Sequence, residues 1–384
     1  MSGTEKKDIE LSIVMPCLNE AETIGSCIGK AQRFLDSSGI CGEIVIGDNG
    51  SEDGSIDIAK ALGARVINVP EKGYGNALIG GILEARGKYI IMGDSDDSHD
   101  LENLMPFLEK LREGYELVVG NRFIGESKNK KISYLWRSLG NQGLSIIGKI
   151  FYRSSVSDFH CGLRGFSREA FDKMKLRTTG MEFASEMIVK ASFAKLKTAE
   201  VPTVIFPPGR SRPPHLRPIR DGWRHLRFLL LYSPRWLFLY PGLGLIILGV
   251  LIGLWLLPGS KLSLDIHTML YASVSITIGF QAVAFAVISK VYAMQEKLLP
   301  ESPLLKKIMK KLTLEVGLLC GILLILTGLA LTFYALYLME SRQFHSFGIQ
   351  YTMRIVILSV TLMSIGFQIV FFSFFLSVIK LKLR

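Results

Sequence analysis

Residues 89–100 read YIIMGDSDDSHD. The apolar run from Tyr89 to Met92 has the length and composition of a buried strand. Four aspartates follow it within eight residues. A solvated turn accounts for one or two acids at such a place. Four carboxylates this close repel one another unless a positive charge sits among them.

The stretch belongs to a longer alternation. Strands are predicted at 11–15, 43–47, 65–69, 89–92 and 116–120, with helices at 20–35, 55–62, about 74–85 and 101–113. This order predicts an α/β fold, Rossmann-like, with a mostly parallel sheet covered by helices. Such sheets bind ligands beyond the carboxyl ends of their strands. The polar turns at Asn19, Asp48, Asp94 and Asn121 all follow strand ends, so they converge on one edge.

The chain has 384 residues, a net charge of +11 and 49% hydrophobic residues. That length suits two units rather than one core. Beyond about Tyr232 the composition changes. Uncharged apolar runs occupy about 236–257, 268–289, 316–339 and 355–379. Each exceeds the roughly 20 residues needed to cross a bilayer, and only helices satisfy the backbone there. The expected division is a soluble domain over 1–208, a basic juxtamembrane segment over 209–235, and an all-α transmembrane domain over 236–384.

Basic residues set the orientation. They precede the first span (Arg210 to Arg235), lie between the second and third (Lys290, Lys297, Lys306, Lys307, Lys310, Lys311), and follow the fourth (Lys380, Lys382, Arg384). The other two loops carry only Lys261, Arg342 and Arg354. Both termini and the soluble domain are therefore expected in the cytoplasm, on a multi-pass protein of the cell (inner) membrane. Charges at Lys6, Lys7, Asp8 and Glu10 argue against a signal peptide. The five cysteines show no metal-ligand spacing. A basic cluster abutting a span disfavours nucleic acid as partner. In PIRDGWRHLRFLLLYSPRW, Trp223, Leu226 and Phe228 lie among arginines, as in an interfacial helix or a simple positive-inside anchor. IGFQAVAF at 278–285 and IGFQIVFF at 365–372 suggest a duplicated two-helix hairpin. Gly249/Gly253 and Gly317/Gly321 share the Gly-x-x-x-Gly spacing that lets helices approach closely, within one chain or between two copies.

Asp94 and Asp96, two apart at a strand end, can share one hard cation, Mg²⁺ or Mn²⁺, whose shell is completed by water and the phosphates of a nucleotide. Ser98 is a third candidate ligand; His99 suits a hydrogen-bonding neighbour better. Asp48 can accept the ring N–H of a nucleobase or act as a turn residue. Asp53 suits a cap for the helix near Ser55. Lys72 precedes GYGNAL, where Leu78 replaces the third glycine of a dinucleotide fingerprint.

LSIVMPCLNEAETI, GDNGSEDGS, KGYGNALIGGILEARGKYIIMGDSDDSHD, GNRF and DFHCGLRGF, in this order, resemble family two of the inverting glycosyltransferases, with the GT-A fold. More narrowly they resemble the polyprenyl-phosphate (dolichyl-phosphate) glucosyl- and mannosyltransferases, over about 11–235. The resemblance implies that Pro16, Asn19 and Glu20 form the first nucleotide-contacting turn, with Asp48 beside the base. It makes Asp94 and Asp96 the metal pair, and Ser98 stands where relatives often carry glutamine. Arg122, Arg137 and Asn141 fall where relatives bind the lipid phosphate, and Asp158 matches an acid near sugar and acceptor. Arg210 and Arg212 fall near a basic loop over the diphosphate, with a different spacing in PPGRSRPPHLRP. The donor expected is a nucleotide-sugar, UDP-glucose before GDP-mannose. The acceptor is a polyprenyl phosphate held at the lipid bilayer, and the product is β-linked. A processive polysaccharide synthase would carry Gln-x-x-Arg-Trp, which is absent from the sequence. A lipid flippase would carry ionisable residues within its spans; a nonenzymatic membrane scaffold is the remaining alternative.

Overall fold

A computed structural model of the chain describes residues 8–124, 134–211, 218–256, 265–296, 298–341 and 346–381. The chain divides into two compact units, at Leu229/Leu230.

The first unit is built on a seven-stranded sheet. Its strands are β1 (Leu11–Cys17), β2 (Gly42–Asp48), β3 (Arg65–Asn68), β4 (Tyr89–Met92), β5 (Leu117–Asn121), β6 (Arg164–Ser167) and β7 (Thr198–Pro202), in the order β3-β2-β1-β4-β6-β5-β7. Helices α1 (Ile24–Ser38), α2 (Ser55–Ala61), α3 (Tyr74–Glu84), α4 (Met105–Arg112), α5 (Tyr134–Tyr152), α6 (Arg168–Met174), α7 (Phe183–Ala194) and α8 (Pro218–Leu231) accompany it. Leu11, Ile13, Val14, Met15, Ile90 and Ile91 are wholly buried. Strands covered on both faces read as continuous apolar runs rather than alternations.

Glycines let α3 lie close to the sheet. A Cβ at Gly47 would sit 2.1 Å from the Ala77 carbonyl oxygen. At the start of α3, Gly73 has φ 141°, which excludes other residues from the turn after Lys72.

The fifth helix-to-strand step departs from the parallel pattern. β6 runs antiparallel to both β4 and β5, with Met92 opposite Arg164. Its start therefore lies at the edge where β4 ends, and the loop 158–163 is delivered to the same edge as the polar turns. The strand is short and begins with a buried arginine, so no apolar run marks it in the sequence.

The helix expected over 101–113 begins only at Met105. Asp100 holds the preceding turn, accepting from Glu102 N and Asn103 Nδ2, and Pro106 occupies the first helical turn, where its missing N–H costs nothing. Helix α8 buries one face. Its Asp221, His225, Phe228 and Leu229 are buried, and Leu229 O accepts the Tyr152 hydroxyl at 2.5 Å. Trp223 and Ile219 remain exposed.

The second unit opens with a π-helical turn (Arg235–Leu239). It continues through α9 (Tyr240–Leu256), α10 (Asp265–Gln295), α11 (Pro303–Lys311), α12 (Leu314–Ser341) and α13 (Ser346–Leu381). Four helices are long and apolar enough to cross a membrane: Arg235–Leu256, Asp265–Gln295, Leu314–Glu340 and Gln350–Ile379.

The hairpins α9–α10 and α12–α13 repeat one crossing. Cβ atoms at Gly242 and Gly279 would meet each other's backbone carbonyls at 2.8 and 2.6 Å; those at Gly321 and Gly366 would do so at 2.8 and 2.7 Å. Gly249 against Ala272 O is repeated by Gly328 against Ser359 O. The glycines of the two IGFQ segments are thus the crossing points. The spacing read from sequence is corrected: Gly253 has nothing within 4 Å, and the matched pairs are Gly242/Gly249 and Gly321/Gly328.

A direct consequence concerns stability. Gly279→Leu must push α9 away from α10 and should cost about 1–3 kcal/mol or more, read as a lowered Tm of the chain in detergent. Gly253→Leu should leave the Tm nearly unchanged. Equal effects would contradict the crossing described.

Candidate active site

The edge where β1, β2, β4 and β5 end gathers Asn19, Glu20, Asp48, Asp94, Asp96 and Arg122, and β6 brings Asp158 to it. Each acid has its own compensation.

Asp94 is gripped from both sides. Its Oδ1 accepts the Tyr74 hydroxyl at 2.7 Å, and its Oδ2 lies 3.2 Å from His99 Nε2. A Cβ at Gly162 would fall 2.5 Å from that Oδ2 and 3.0 Å from the His99 nitrogen, so only glycine fits there. Burial alone would raise the Asp94 pKa. Hydrogen bonding to His99 and Tyr74 outweighs it and holds the carboxyl below its ordinary range. Burial, and the Asp94 charge beside it, push the Tyr74 phenol well above its usual value, so it stays a donor. His99 is the hydrogen-bonding neighbour anticipated, whereas Tyr74 was not singled out from the sequence. The glycine-flanked turn before α3 was its signal.

Asp96 accepts Ser98 N on Oδ1 at 3.1 Å and Arg210 Nη2 on Oδ2 at 3.1 Å. Arg210 also donates from Nη1 to Glu20 at 2.7 Å. One guanidinium thus bridges two carboxylates, with only 9% of its side chain exposed. Backbone bonds hold the arginine's segment in place: Phe206 N to Ser98 O at 2.9 Å and Gly209 N to Asp96 O at 3.1 Å. Ser211 donates twice to Glu22. A cavity of about 320 Å³ opens beside this bridge, lined by Asn19, Glu20, Glu22, Glu52, Asp53 and Arg210.

The other first-turn residues are tied to neighbouring loops. Asn19 Oδ1 accepts Glu52 N at 2.8 Å, and Pro16 O accepts Ser95 Oγ at 2.6 Å. Asp48, 1% exposed, accepts Gly50 N and Ser51 N, the turn role weighed for it. Lys72 Nζ donates to Asn49 O at 2.6 Å. Asp53 accepts from Ser55 N at 3.0 Å and also reaches across to Ala21 N at 2.9 Å. Asp97 pairs with Lys30 at 2.7 Å.

Arg122 and Asp158 form one unit. The guanidinium donates from Nε and Nη2 to the two carboxylate oxygens, both at 2.7 Å, and Arg122 N adds a third bond. Asp158 is wholly buried. Burial would raise its pKa, but the paired guanidinium prevails and the pKa is lowered. The acid expected near sugar and acceptor thus faces the arginine expected at the acceptor phosphate. Behind them Arg164, wholly buried, donates to the carbonyls of Cys161, Ala184 and Phe159 and fastens the loop 158–163. Arg137 and Asn141 lie one turn apart on α5; their side chains, and all of Arg212, fall outside the described residues.

Among the described residues no cluster of three or more His, Cys, Asp or Glu has a metal-holding arrangement. Asp94 and Asp96 supply two hard oxygen ligands and no closed cage. That donor set fits a cation such as Mg²⁺, which uses one or two carboxylates and takes its remaining ligands from water and substrate phosphates.

Asp158→Asn should destabilise the first unit by on the order of 3–5 kcal/mol, because Arg122 is left buried without its countercharge. The folded pKa of Asp158 lies below its unfolded value. Its contribution is therefore present above about pH 4 and lost as pH falls further through the folded pKa. Thermal melts across this range should show the variant less stable at neutral pH and less acid-sensitive than the parent. Parallel curves would contradict the pairing.

The chain's residues 12–175 match the model described as Glycosyl transferase family 2. Residues 287–380 match Glycosyltransferase family 2 C-terminal transmembrane region. The low-salt glycan biosynthesis hexosyltransferase Agl6 of Haloferax volcanii is 35% identical over 370 residues, covering 95% of this chain and 88% of that relative. A dolichyl-phosphate hexose transferase of the same organism is 29% identical over 200 residues, 52% of this chain and 84% of the relative. A solved structure of glucosyl-3-phosphoglycerate synthase from Mycobacterium tuberculosis, with Mn²⁺, UDP-glucose and phosphoglyceric acid, is 24% identical over 58% of this chain and 79% of that one, with a TM-score of 0.46. With its mostly parallel GT-A sheet, its acid-lined strand edge and its four membrane-spanning helices, the chain belongs to glycosyltransferase family 2.

Proposed function

We propose that this membrane hexosyltransferase moves glucose from UDP-glucose to a polyprenyl phosphate, giving a β-linked lipid-phosphate sugar. The observation that carries the reading is the Asp94–Asp96 pair at the end of β4, with Arg210 brought onto Asp96 from the segment after β7. Two carboxylates that can share a divalent cation, with a guanidinium beside them, are the complement of a metal-bound nucleoside diphosphate. A relative named a dolichyl-phosphate hexose transferase and the four spans support the lipid acceptor.

Asn19, Glu20, Asp48 and Lys72 flank the nucleotide in this reading, with Pro16 O fixing the turn through Ser95. Asp94 and Asp96 hold Mg²⁺ or Mn²⁺; when bound, the cation offsets the charge that develops on the leaving diphosphate. Ser98 is the third candidate ligand, and its amide supports Asp96. Tyr74 and His99 fix the Asp94 carboxylate. Arg210 exchanges Asp96 and Glu20 for the diphosphate.

The acceptor phosphate needs little help from a base. Its second pKa is near 6, so it is mostly dianionic at neutral pH. It must be oriented by arginines, which match phosphate oxygens as a fork. Arg137 and Asn141 on α5 and Arg212 are assigned to this role, beside the Arg122–Asp158 pair. An acceptor oxygen attacks the anomeric carbon, the bond to the nucleoside diphosphate breaks, and the configuration inverts. The catalytic domain and both termini lie in the cytoplasm in this reading, because Lys306, Lys307, Lys310 and Lys311 share that side with the arginines before the first span.

The test is a panel of nucleotide-sugars supplied with polyprenyl phosphate to the full chain in sealed vesicles of known sidedness, with the lipid product weighed. UDP-glucose should add one hexose, only in vesicles that expose the catalytic domain to the donor. Asp94→Asn and Asp96→Asn, and EDTA with the parent, should lower turnover by at least about a hundredfold. A product from GDP-mannose alone would correct the donor. Nucleotide release without any lipid product would overturn the acceptor.

A further inference from the structure

The helix α11 joins the second and third spans and reads PLLKKIMKK. At helical spacing, Leu304, Leu305, Ile308 and Met309 share one face and the four lysines take the other. The apolar face is divided. Leu305 is buried and, with Met309, packs on the last turns of α10 and α13, against Val291, Met294, Leu376 and Ile379. Leu304 is 70% exposed and Ile308 42% exposed. They point away from the bundle, flanked by Lys307 and Lys311.

The depth of this site follows from helix lengths. α10 has 31 residues, roughly 46 Å at 1.5 Å per residue. The hydrocarbon core is about 30 Å thick. The end turns of α10 therefore stand at the level of the headgroups, and α11 is packed on such an end. Tyr292, Val316, Phe375 and Val378, near the ends of the neighbouring spans, are exposed as well. Lys306 pairs with Glu301 at 2.6 Å. Among the described residues no ion pair engages Lys307, Lys310 or Lys311.

We infer that α11 is an interfacial helix that binds anionic phospholipid headgroups through Lys307, Lys310 and Lys311 while Leu304 and Ile308 enter the acyl boundary. None of its residues is assigned to sugar transfer, so it is independent of which donor the protein takes. The charge pattern selects the partner. An apolar face bordered by cations suits an interface of buried methylenes and surface phosphates. A second copy docked through the same face would bring two sets of lysines together, since a two-fold contact uses the same patch twice.

The test uses the full chain carrying Ile308→Trp, with Leu304→Trp as a second probe, in vesicles of mixed phosphatidylcholine and phosphatidylglycerol. Emission is corrected for the parent's native tryptophans. Bromine is placed on the acyl chains of one lipid or the other at equal mole fraction. Brominated phosphatidylglycerol should quench more, reporting a local enrichment of at least about fivefold, since each lysine at an anionic surface contributes about that factor. Lys307→Gln, Lys310→Gln and Lys311→Gln together should equalise the two lipids, and so should high salt. Equal quenching with the lysines intact would overturn the headgroup preference. Absence of quenching by either lipid would show α11 facing water or another protein and overturn the inference as a whole. A preference that survives the triple substitution would remove the lysines from it.

Discussion

Like charge crowded at one sheet edge is the constraint on which the first unit depends. Glu20, Asp48, Asp94, Asp96 and Asp158 all sit there. Buried or half-buried carboxylates persist only where cations or N–H and O–H donors answer them. Each answer comes from a different part of the chain. Loop amides serve Asp48. The start of α3 sends Tyr74 to Asp94. The turn after β5 sends Arg122 to Asp158, and the segment after β7 sends Arg210 to both Glu20 and Asp96. The edge is therefore stitched by residues far apart in sequence, and removing one partner exposes a specific charge.

The pairings differ in permanence. Asp158 is wholly buried and meets Arg122 through two parallel bonds and a backbone amide. That arrangement suits a fixed support. Arg210 holds its two acids through one nitrogen each, with no parallel fork to either. A ligand offering several phosphate oxygens at once can compete for it. Asp94 lies between these cases, its two oxygens oriented by Tyr74 and His99 and 30% of its side chain exposed. The same edge thus combines one buried, doubly bonded pair with one singly bonded bridge.

Much of this was legible in the sequence, for physical reasons that differ by element. β1 and β4 are buried on both faces, so they read as apolar runs, and β4 appears where it was expected. Polar turns after parallel strands can only face one edge. The spans needed nothing beyond length and the absence of charge. What the sequence hides is pairing across distance. No periodicity announces β6, which starts at a buried arginine bonded only to carbonyls. Arg122 and Asp158 were each legible as chemically interesting, but not as partners. The membrane repeat was visible in IGFQ, yet the glycines that cross are Gly242 and Gly279, Gly321 and Gly366. Spacing within one helix does not say which face meets a neighbour. Nor does a run of arginines say that α8 buries His225 and Phe228.

The central claim is that Asp94 and Asp96 form half of a divalent-cation site whose other half is the donor's diphosphate. Electron paramagnetic resonance of free Mn²⁺ tests it directly, with UDP as the nucleotide probe and the full chain in detergent. With the parent chain, adding UDP should remove free Mn²⁺ signal well beyond what UDP alone removes, and Asp96→Asn should abolish that excess while nucleotide-free samples of both chains bind little. An excess that persists unchanged when both aspartates are replaced by asparagine, or no excess with the parent, would contradict it.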